Sequence, residues 1–316
     1  MLVLIAACGD DDDGIVAAPT TSSDGAVATS DSAVSGLSTM APSLVPTTLP
    51  PPPIASDLPT PPTTPLAWTL PRRGGYFDYQ LGGDYPPAAE VEVVVRDWFA
   101  GEPAVGLYNI CYVNAFQTQP PDESDRPDER DGWPASVVSS FEDPDWPGEF
   151  IIDLGTVEQR AAAASFVNTM IDTCKAKGFD AVEFDNLDSY LRAGALSFDL
   201  FETLQFAATI TAHAHDLKMA VAQKNTAELT RAQALDVVGF DFAVVEECAE
   251  FDECQVYKAI YGITILAIEY SVEGMTKACV DFGIGGVPVV RRDRNLVLPD
   301  DPSYEFETYC GFRGYG

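Results

Sequence analysis

From residue 66 onward the chain alternates short apolar runs with longer stretches of helical period. Eight runs read as strands: Tyr76–Leu81, Val91–Val95, Val105–Val113, Ala181–Phe184, Met219–Gln223, Phe240–Val245, Ile263–Ile268 and Gly286–Val290. A ninth, Phe150–Leu154, follows a long polar insertion and reads as accessory. Between them, Val167, Met170, Ile171 and Cys174 recur at i, i+3, i+4 and i+7, the spacing of one helical face, and Gly178 stops that helix. Strands alternating with helices predict a parallel sheet with crossover helices. Eight such units predict an α/β fold, a (β/α)₈ TIM barrel over residues 66–316.

The polar positions sharpen this picture. Each apolar run contains or ends on polar groups: Asp78 and Gln80, Arg96-Asp97, Asn114, Asp185-Asn186, Lys224-Asn225, Glu246-Glu247, Glu269-Tyr270 and Arg291-Arg292-Asp293. Any one strand ends on a polar residue because turns are polar. All eight doing so, six of them with carboxylates, predicts a mouth where the C-terminal strand ends of a barrel converge on an active site.

The first 65 residues carry no such pattern. Met1 to Ala7 is an apolar run ending before Cys8, and Leu4-Ile5-Ala6-Ala7-Cys8 resembles a bacterial lipobox. The basic segment that precedes such a run in a signal peptide is missing, so the expectation is a true start upstream. Asp10 to Asp13 lacks the alternating spacing of a calcium loop and reads as a solvated charge run. Residues 9–65, rich in Ala, Ser, Thr and Pro, have too little apolar surface to fold and predict a disordered Pro/Ser/Thr-rich tether between a lipid-anchored Cys8 and the barrel. No stretch is long enough to span a bilayer.

Composition bounds the partners. The 316 residues suit one barrel of about 250 residues plus a tail, and 46% hydrophobic residues supply a large core. The net charge is −31; residues 1–65 hold seven acids and no Lys or Arg, leaving 42 acids against 18 bases in the remainder, a net of −24. Such a field repels nucleic acid and anionic membrane. It has two readings: solubility or salt adaptation, and attraction of a cationic ligand. Membrane contact is expected only through the N-terminal anchor. Seven cysteines leave six beyond Cys8, an even number that suits disulfides in a secreted chain.

Glycosidic bond cleavage requires two carboxyl groups flanking the scissile bond. Asp185 and Glu246 stand at the ends of the fourth and sixth runs, on opposite sides of part of the mouth. Glu183 shares the face of Asp185 but lies deeper, and Glu269 is a third candidate. Asp188 reads as a cap or loop hydrogen-bonder, and His213 and His215 as structural. No His–carboxylate cluster has metal-ligand spacing, no Gly-rich phosphate loop precedes a helix, and Gly-x-Ser-x-Gly is absent, so neither a metal nor a cofactor is expected.

The stretch Gly178-Phe179-Asp180-Ala181-Val182-Glu183-Phe184-Asp185-Asn186-Leu187-Asp188-Ser189-Tyr190 resembles the GFDxVEPDNxDxY signature of glycoside hydrolase family 114, the endo-α-1,4-polygalactosaminidases. Lys224-Asn225 is similar to its KN, Asp241 to Cys248 with Cys254 to its DFAVNEQC…C, Glu269-Tyr270 to its EY, and Tyr79-Gln80-Leu81 and Ile110-Cys111-Tyr112 to its YQL and ICY. The resemblance spans roughly residues 68–298. It implies a (β/α)₈ barrel that hydrolyses α-1,4 bonds of a galactosamine polymer, a polycation when de-N-acetylated. It places the catalytic carboxylates at Asp185, as nucleophile or base, and Glu246, as general acid, with the reverse assignment open. Substrate-binding expectations fall on Gln80, Asp97, Asn114, Glu183, Asn186, Lys224, Asn225, Glu247, Glu269 and Tyr270. Phe184, Val245 and Glu247 replace a family proline, asparagine and glutamine, which opens two alternatives: a hydrolase or lyase of another polysaccharide, or a non-catalytic sugar-binding lipoprotein. Cys248 and Cys254, six apart, are expected to pair and brace the loop after Glu246; Cys279 with Cys310 and Cys111 with Cys174 are the further expected pairs.

Overall fold

The computed structural model describes residues 67–121, 128–129, 132–282 and 286–308. In chain order the strands are β1 (Tyr76–Gln80), β2 (Val91–Asp97) and β3 (Tyr108–Asn114), then β4 (Val138–Glu142) and β5 (Phe150–Ile152). They continue with β6 (Ala181–Asp185), β7 (Ala220–Lys224), β8 (Phe242–Glu246), β9 (Ile265–Glu269), β10 (Val289–Arg292) and β11 (Phe306–Glu307). The helices are α1 (Val157–Lys177), α2 (Leu200–Asp216), α3 (Cys254–Tyr261) and α4 (Val272–Phe282), with a π-helical turn at Ala232–Val238.

The eight expected runs form one sheet in the order β1-β2-β3-β6-β7-β8-β9-β10, every ladder parallel. The accessory run pairs antiparallel with β4 in a separate two-stranded sheet. Two boundaries move for local reasons. Val105 is fully exposed beside Gly106 at φ 82°, so β3 begins only at Tyr108. Arg291 and Arg292 lie within β10 rather than beyond it. Among the described residues no helix follows β1 or β2, so the helical layer is incomplete on that side.

The sheet curls into a partly closed barrel. The edge of β10 that would meet β1 instead pairs antiparallel with β11. Across this seam Arg292, fully buried, donates to the Tyr79 carbonyl and to Asp78 Oδ1 at 3.2 Å. Its remaining donors reach the carbonyls of Glu305 (3.0 Å) and Val297 (3.2 Å).

Strand alternation sorts the core into two layers. Phe77, Tyr79, Val93, Val95, Ile110, Tyr112, Ala181, Ala222, Phe242, Val244, Leu266 and Ile268 pack inside the barrel. Cys111, Val113, Val182, Phe184, Ala243, Val245, Ile265 and Ala267 face the helices. Helix α1 meets them with the predicted stripe Val167, Met170, Ile171 and Cys174, all fully buried. A Thr156–Gln159 capping box starts this helix, and Gly178 at φ 100° ends it with its N–H on the Cys174 carbonyl. Cys111 and Cys174 are disulfide-bonded, tying β3 to α1. Cys248 and Cys254 are bonded too, closing the loop between β8 and α3. The Cys279–Cys310 pairing, the anchor at Cys8 and the tether lie outside the described residues. No described helix is long and apolar enough to cross a membrane.

Candidate active site

Inside the barrel the apolar layers give way to polar ones toward the C-terminal strand ends. Two residues on from Ala181, Ala222, Val244 and Ile268, the same inward parity reaches Glu183, Lys224, Glu246 and Tyr270, and Asp185 follows Glu183. These groups meet at Lys224. Its Nζ lies 3.2 Å from Asp185 Oδ1, 3.2 Å from Glu246 Oε2, 3.9 Å from Glu183 Oε1 and 3.0 Å from the Tyr79 hydroxyl. The two mouth oxygens, each at 3.2 Å from one nitrogen, are therefore no more than twice that distance apart.

Donors surround both carboxylates. Asp185 Oδ2 accepts from the Tyr112 hydroxyl at 2.7 Å, and Oδ1 from the Asn186 backbone N–H at 2.9 Å. Burial alone would raise the Asp185 pKa, but the Lys224 charge and these hydrogen bonds outweigh it and hold the group below the usual carboxylate range. Glu246 Oε2 accepts from Asn225 Nδ2 at 3.1 Å, and Oε1 from the Tyr270 hydroxyl. Burial works against the charge on Lys224, yet Asp185, Glu246 and Glu183 outweigh it and raise its pKa, so it stays an ammonium. Tyr79 and Tyr112 are pushed well above the ordinary tyrosine value, first by burial and then by neighbouring carboxylates, and remain donors.

The backbone turns in the same way after three adjacent strands. Asn186 (φ 62°), Asn225 (φ 46°) and Glu247 (φ 52°) directly follow Asp185, Lys224 and Glu246. The left-handed turn suits asparagine and is costly for glutamate. Glu247 is steadied by its N–H on the Ile268 carbonyl (2.7 Å) and by a two-point pair with Arg294. Its charge is therefore compensated. The Cys248–Cys254 bridge begins at the next residue and fixes the loop.

The cleft over this cluster encloses about 450 Å³. Of the expected residues, Asp97, Asp185, Asn186, Lys224, Asn225, Glu246, Glu247 and Tyr270 line it. Asp97 also holds its own loop, accepting from the N–H groups of Phe99 (2.8 Å) and Ala100 (3.1 Å). Four expected contacts do not reach the cleft. Gln80 faces the other side of β1 and binds Arg96 Nε at 3.0 Å and Asp78 at 2.6 Å. Glu269 also has the outward parity of its strand; it sits buried behind the disulfide loop, accepting from the Ala249 N–H at 3.0 Å. Burial raises its pKa to about 7. Glu183 has the inward parity but lies beneath Lys224 and Tyr79, wholly buried. Asn114 backs the wall, bridging Asn186 (3.0 Å) and Glu149 (3.0 Å).

Other cleft residues were not foreseen. Tyr79 and Tyr112 entered the sequence reading only within strand runs and the YQL and ICY resemblances, although their inward parity after Phe77 and Ile110 was a usable signal. Asp143, Trp146, Glu149, Arg192 and Arg294 come from loops without periodicity. Asp188 makes no side-chain cap; it lines the cleft and pairs with Arg192 at 3.0 Å. His213 and His215 sit in α2, on Asp172 (2.8 Å) and Asp241 (2.9 Å). Among the described residues one three-donor cluster has metal-like proximity: Cys248, Cys254 and Glu269. Its two sulfurs are in a disulfide and are not thiolates.

The fold has known counterparts. The crystal structure of Aspergillus fumigatus Ega3 in complex with galactosamine superposes with a TM-score of 0.62 at 20% identity, covering 76% of this chain and 99% of that one. The glycoside hydrolase domain of PelA from Pseudomonas aeruginosa superposes with a TM-score of 0.52 at 14% identity, covering 75% and 99%. At these identities the likeness establishes the fold, a TIM-barrel-like one. At the level of sequence no curated protein matches. The family model of glycoside hydrolase family GH114 matches residues 58–312. That span includes every described strand and the whole carboxylate cluster, and the chain belongs to glycoside hydrolase family GH114.

Proposed function

We propose that this glycoside hydrolase cleaves α-1,4 bonds in a galactosamine-containing polysaccharide, with Asp185 as nucleophile and Glu246 as general acid and base. The observation that carries the assignment is the shared ammonium, Lys224, 3.2 Å from each carboxylate. Retaining glycosidases keep their two carboxyl groups roughly 5–5.5 Å apart, whereas inverting ones leave roughly 6.5–9.5 Å for a water. The upper bound set by Lys224 contains the retaining separation, and retention is the outcome we propose.

The electrostatics support the same division of labour. Asp185, held ionised by Lys224, Tyr112 and the Asn186 N–H, attacks the anomeric carbon while Glu246 gives its proton to the leaving oxygen. When the Asp185 charge is consumed in the glycosyl–enzyme bond, Lys224 is left facing Glu246 and, beneath it, Glu183. Having given up its proton in the first step, Glu246 then takes one from the attacking water. The net charge of −24 over residues 66–316 suits a polymer bearing ammonium groups. The disulfides suit an oxidising compartment, and we read Cys8 as a lipid attachment site with residues 9–65 as its tether.

The test is turnover of a de-N-acetylated galactosamine polymer. Asp185→Asn and Glu246→Gln should each abolish it with the circular dichroism spectrum unchanged, and the first product anomer seen by NMR should be α. A β product first would refute retention, and two active single variants would refute the pair.

A further inference from the structure

The hairpin joining β4 to β5 stands outside the nine-stranded sheet, yet its tip forms one wall of the cleft. The tip is firmly held. The Asp143 carboxylate, almost wholly buried, accepts from Gln117 Nε2 (2.6 Å), Arg192 Nε (2.8 Å) and the Asp145 N–H (2.9 Å). The Asp143 N–H meets the Glu149 carbonyl at 2.8 Å, and the Gly148 N–H meets Glu142 Oε1 at 2.6 Å. What this bracing presents is Trp146, 56% exposed on the cleft. The other three tryptophans, Trp68, Trp98 and Trp133, keep their indole N–H buried. An indole is costly to leave in water, and a rigidly held one beside a polar cleft is a surface for a ligand to cover.

The surroundings define that ligand. Asp145, exposed, and Glu149 flank the indole and line the same wall. Glu149 is in register with the carboxylate cluster: Asn114 Nδ2 donates to its Oε2 at 3.0 Å, Asn186 Nδ2 donates to Asn114 Oδ1 at 3.0 Å, and Asn186 follows Asp185. A group that satisfies this wall needs an apolar C–H face for the indole and a cation for the Asp145 carboxylate or the indole face; Glu149, whose pKa burial raises to about 8, keeps its proton at neutral pH until a cation covers it. An amino sugar ring has both. We propose that Trp146, with Asp145 and Glu149, forms a subsite for one further hexosamine unit of the polymer, in the same cleft and beside the sugars at Asp185 and Glu246. The subsite confers preference for long chains. This rests on the polysaccharide reading above, and it adds a binding determinant that the two-carboxylate chemistry does not require.

The experiment uses the full chain carrying Asp185→Asn, so that ligands are not cut, titrated with galactosamine oligomers from one to seven units. Quenching of tryptophan emission and calorimetry are both recorded. Affinity should rise with length and then level off. Adding Trp146→Ala should cost at least tenfold for the longest oligomers, leave the shortest unchanged and remove the quenching; Trp146→Phe should restore most of the affinity. Acetylated oligomers should bind the wall more weakly, and Asp145→Asn with Glu149→Gln should erase that difference. Equal losses at every length, or none, overturn the subsite. If the parent chain fails to cut the polymer but Trp146-dependent, length-dependent binding persists, the hydrolytic reading fails and the subsite stands. If the polymer is cut and Trp146→Ala changes neither affinity nor product length, the subsite alone fails.

Discussion

Replacing Glu183 by glutamine should make the stability difference between wild type and variant depend on pH. Glu183 is wholly buried, its Oε1 lies 2.5 Å from the Tyr79 hydroxyl, and its Oε2 has no partner. Lys224 can only donate, so the Tyr79 oxygen accepts from Lys224 and its proton points to Glu183. Burial, then the nearby Asp185 and Glu246 charges, outweigh Lys224 and Tyr79 and push the Glu183 pKa from 4.5 to about 7. A folded value above the unfolded one means the native state binds the proton more tightly. The resulting stability is fully present below pH 4.5 and is lost as pH rises through about 7. The difference between the two values is worth about 3 kcal/mol at 1.36 kcal/mol per unit. Glutamine mimics the protonated acid and accepts from Tyr79 but does not titrate. Wild type minus variant, measured by urea unfolding with disulfides intact, should therefore fall by about 3 kcal/mol between pH ~4 and ~8. Glu149, raised to about 8 by burial, and Glu269 titrate in both proteins and cancel in the difference. A difference that stays constant over this range would refute a proton on Glu183.

Lys224→Met removes the cation shared by Asp185 and Glu246; unfolding should become easier by ~3–5 kcal/mol, and the acidic limb of kcat/KM should move to higher pH as Asp185 loses the charge that depresses its pKa. A limb that stays in place would show that Lys224 does not set that ionisation. Turnover of the cationic polymer should weaken as salt rises from low to about 0.5 M, while turnover of an acetylated one should not; equal salt dependence would make the acidity a matter of solvation. Cys8→Ala should move the protein from the membrane fraction to the soluble one in an exporting bacterial host, and unchanged fractionation would count against acylation.

How far the sequence alone reached is clearest at individual residues. The eight strands were legible because buried parallel strands are apolar runs between helical periods, and because Gly178 and the Val167–Cys174 stripe punctuate by backbone and side-chain geometry. The Asp185–Glu246–Lys224 cluster was legible because strand ends converge. Gln80 and Glu269 were misplaced for a reason the same pattern contains: alternate residues face opposite sides of a strand, and both fall on the side away from the cleft. Glu247 was read as a substrate contact in place of the family glutamine; its partner Arg294 arrives from a loop 47 residues on, which no local period encodes. Trp146, Asp143 and Arg192 were illegible for the same reason: a two-stranded hairpin and a short helical turn place them, and neither carries a repeat long enough to read.

The seam between β1 and β10 has a mechanical consequence. Elsewhere neighbouring staves of the barrel are riveted along their length by backbone ladders; here one guanidinium acts as a latch, and β11 occupies the rivet line. Prying two laddered staves apart breaks a row of backbone bonds together. Among the described residues, opening this seam would break side-chain contacts only, those of Arg292 and of the Tyr85–Tyr304 pair, beside Tyr79, whose hydroxyl touches Lys224. At that one joint the hoop is held by side chains where its other joints are held by backbone, and Gly82 and Leu296 bring the joint to the edge of the cleft.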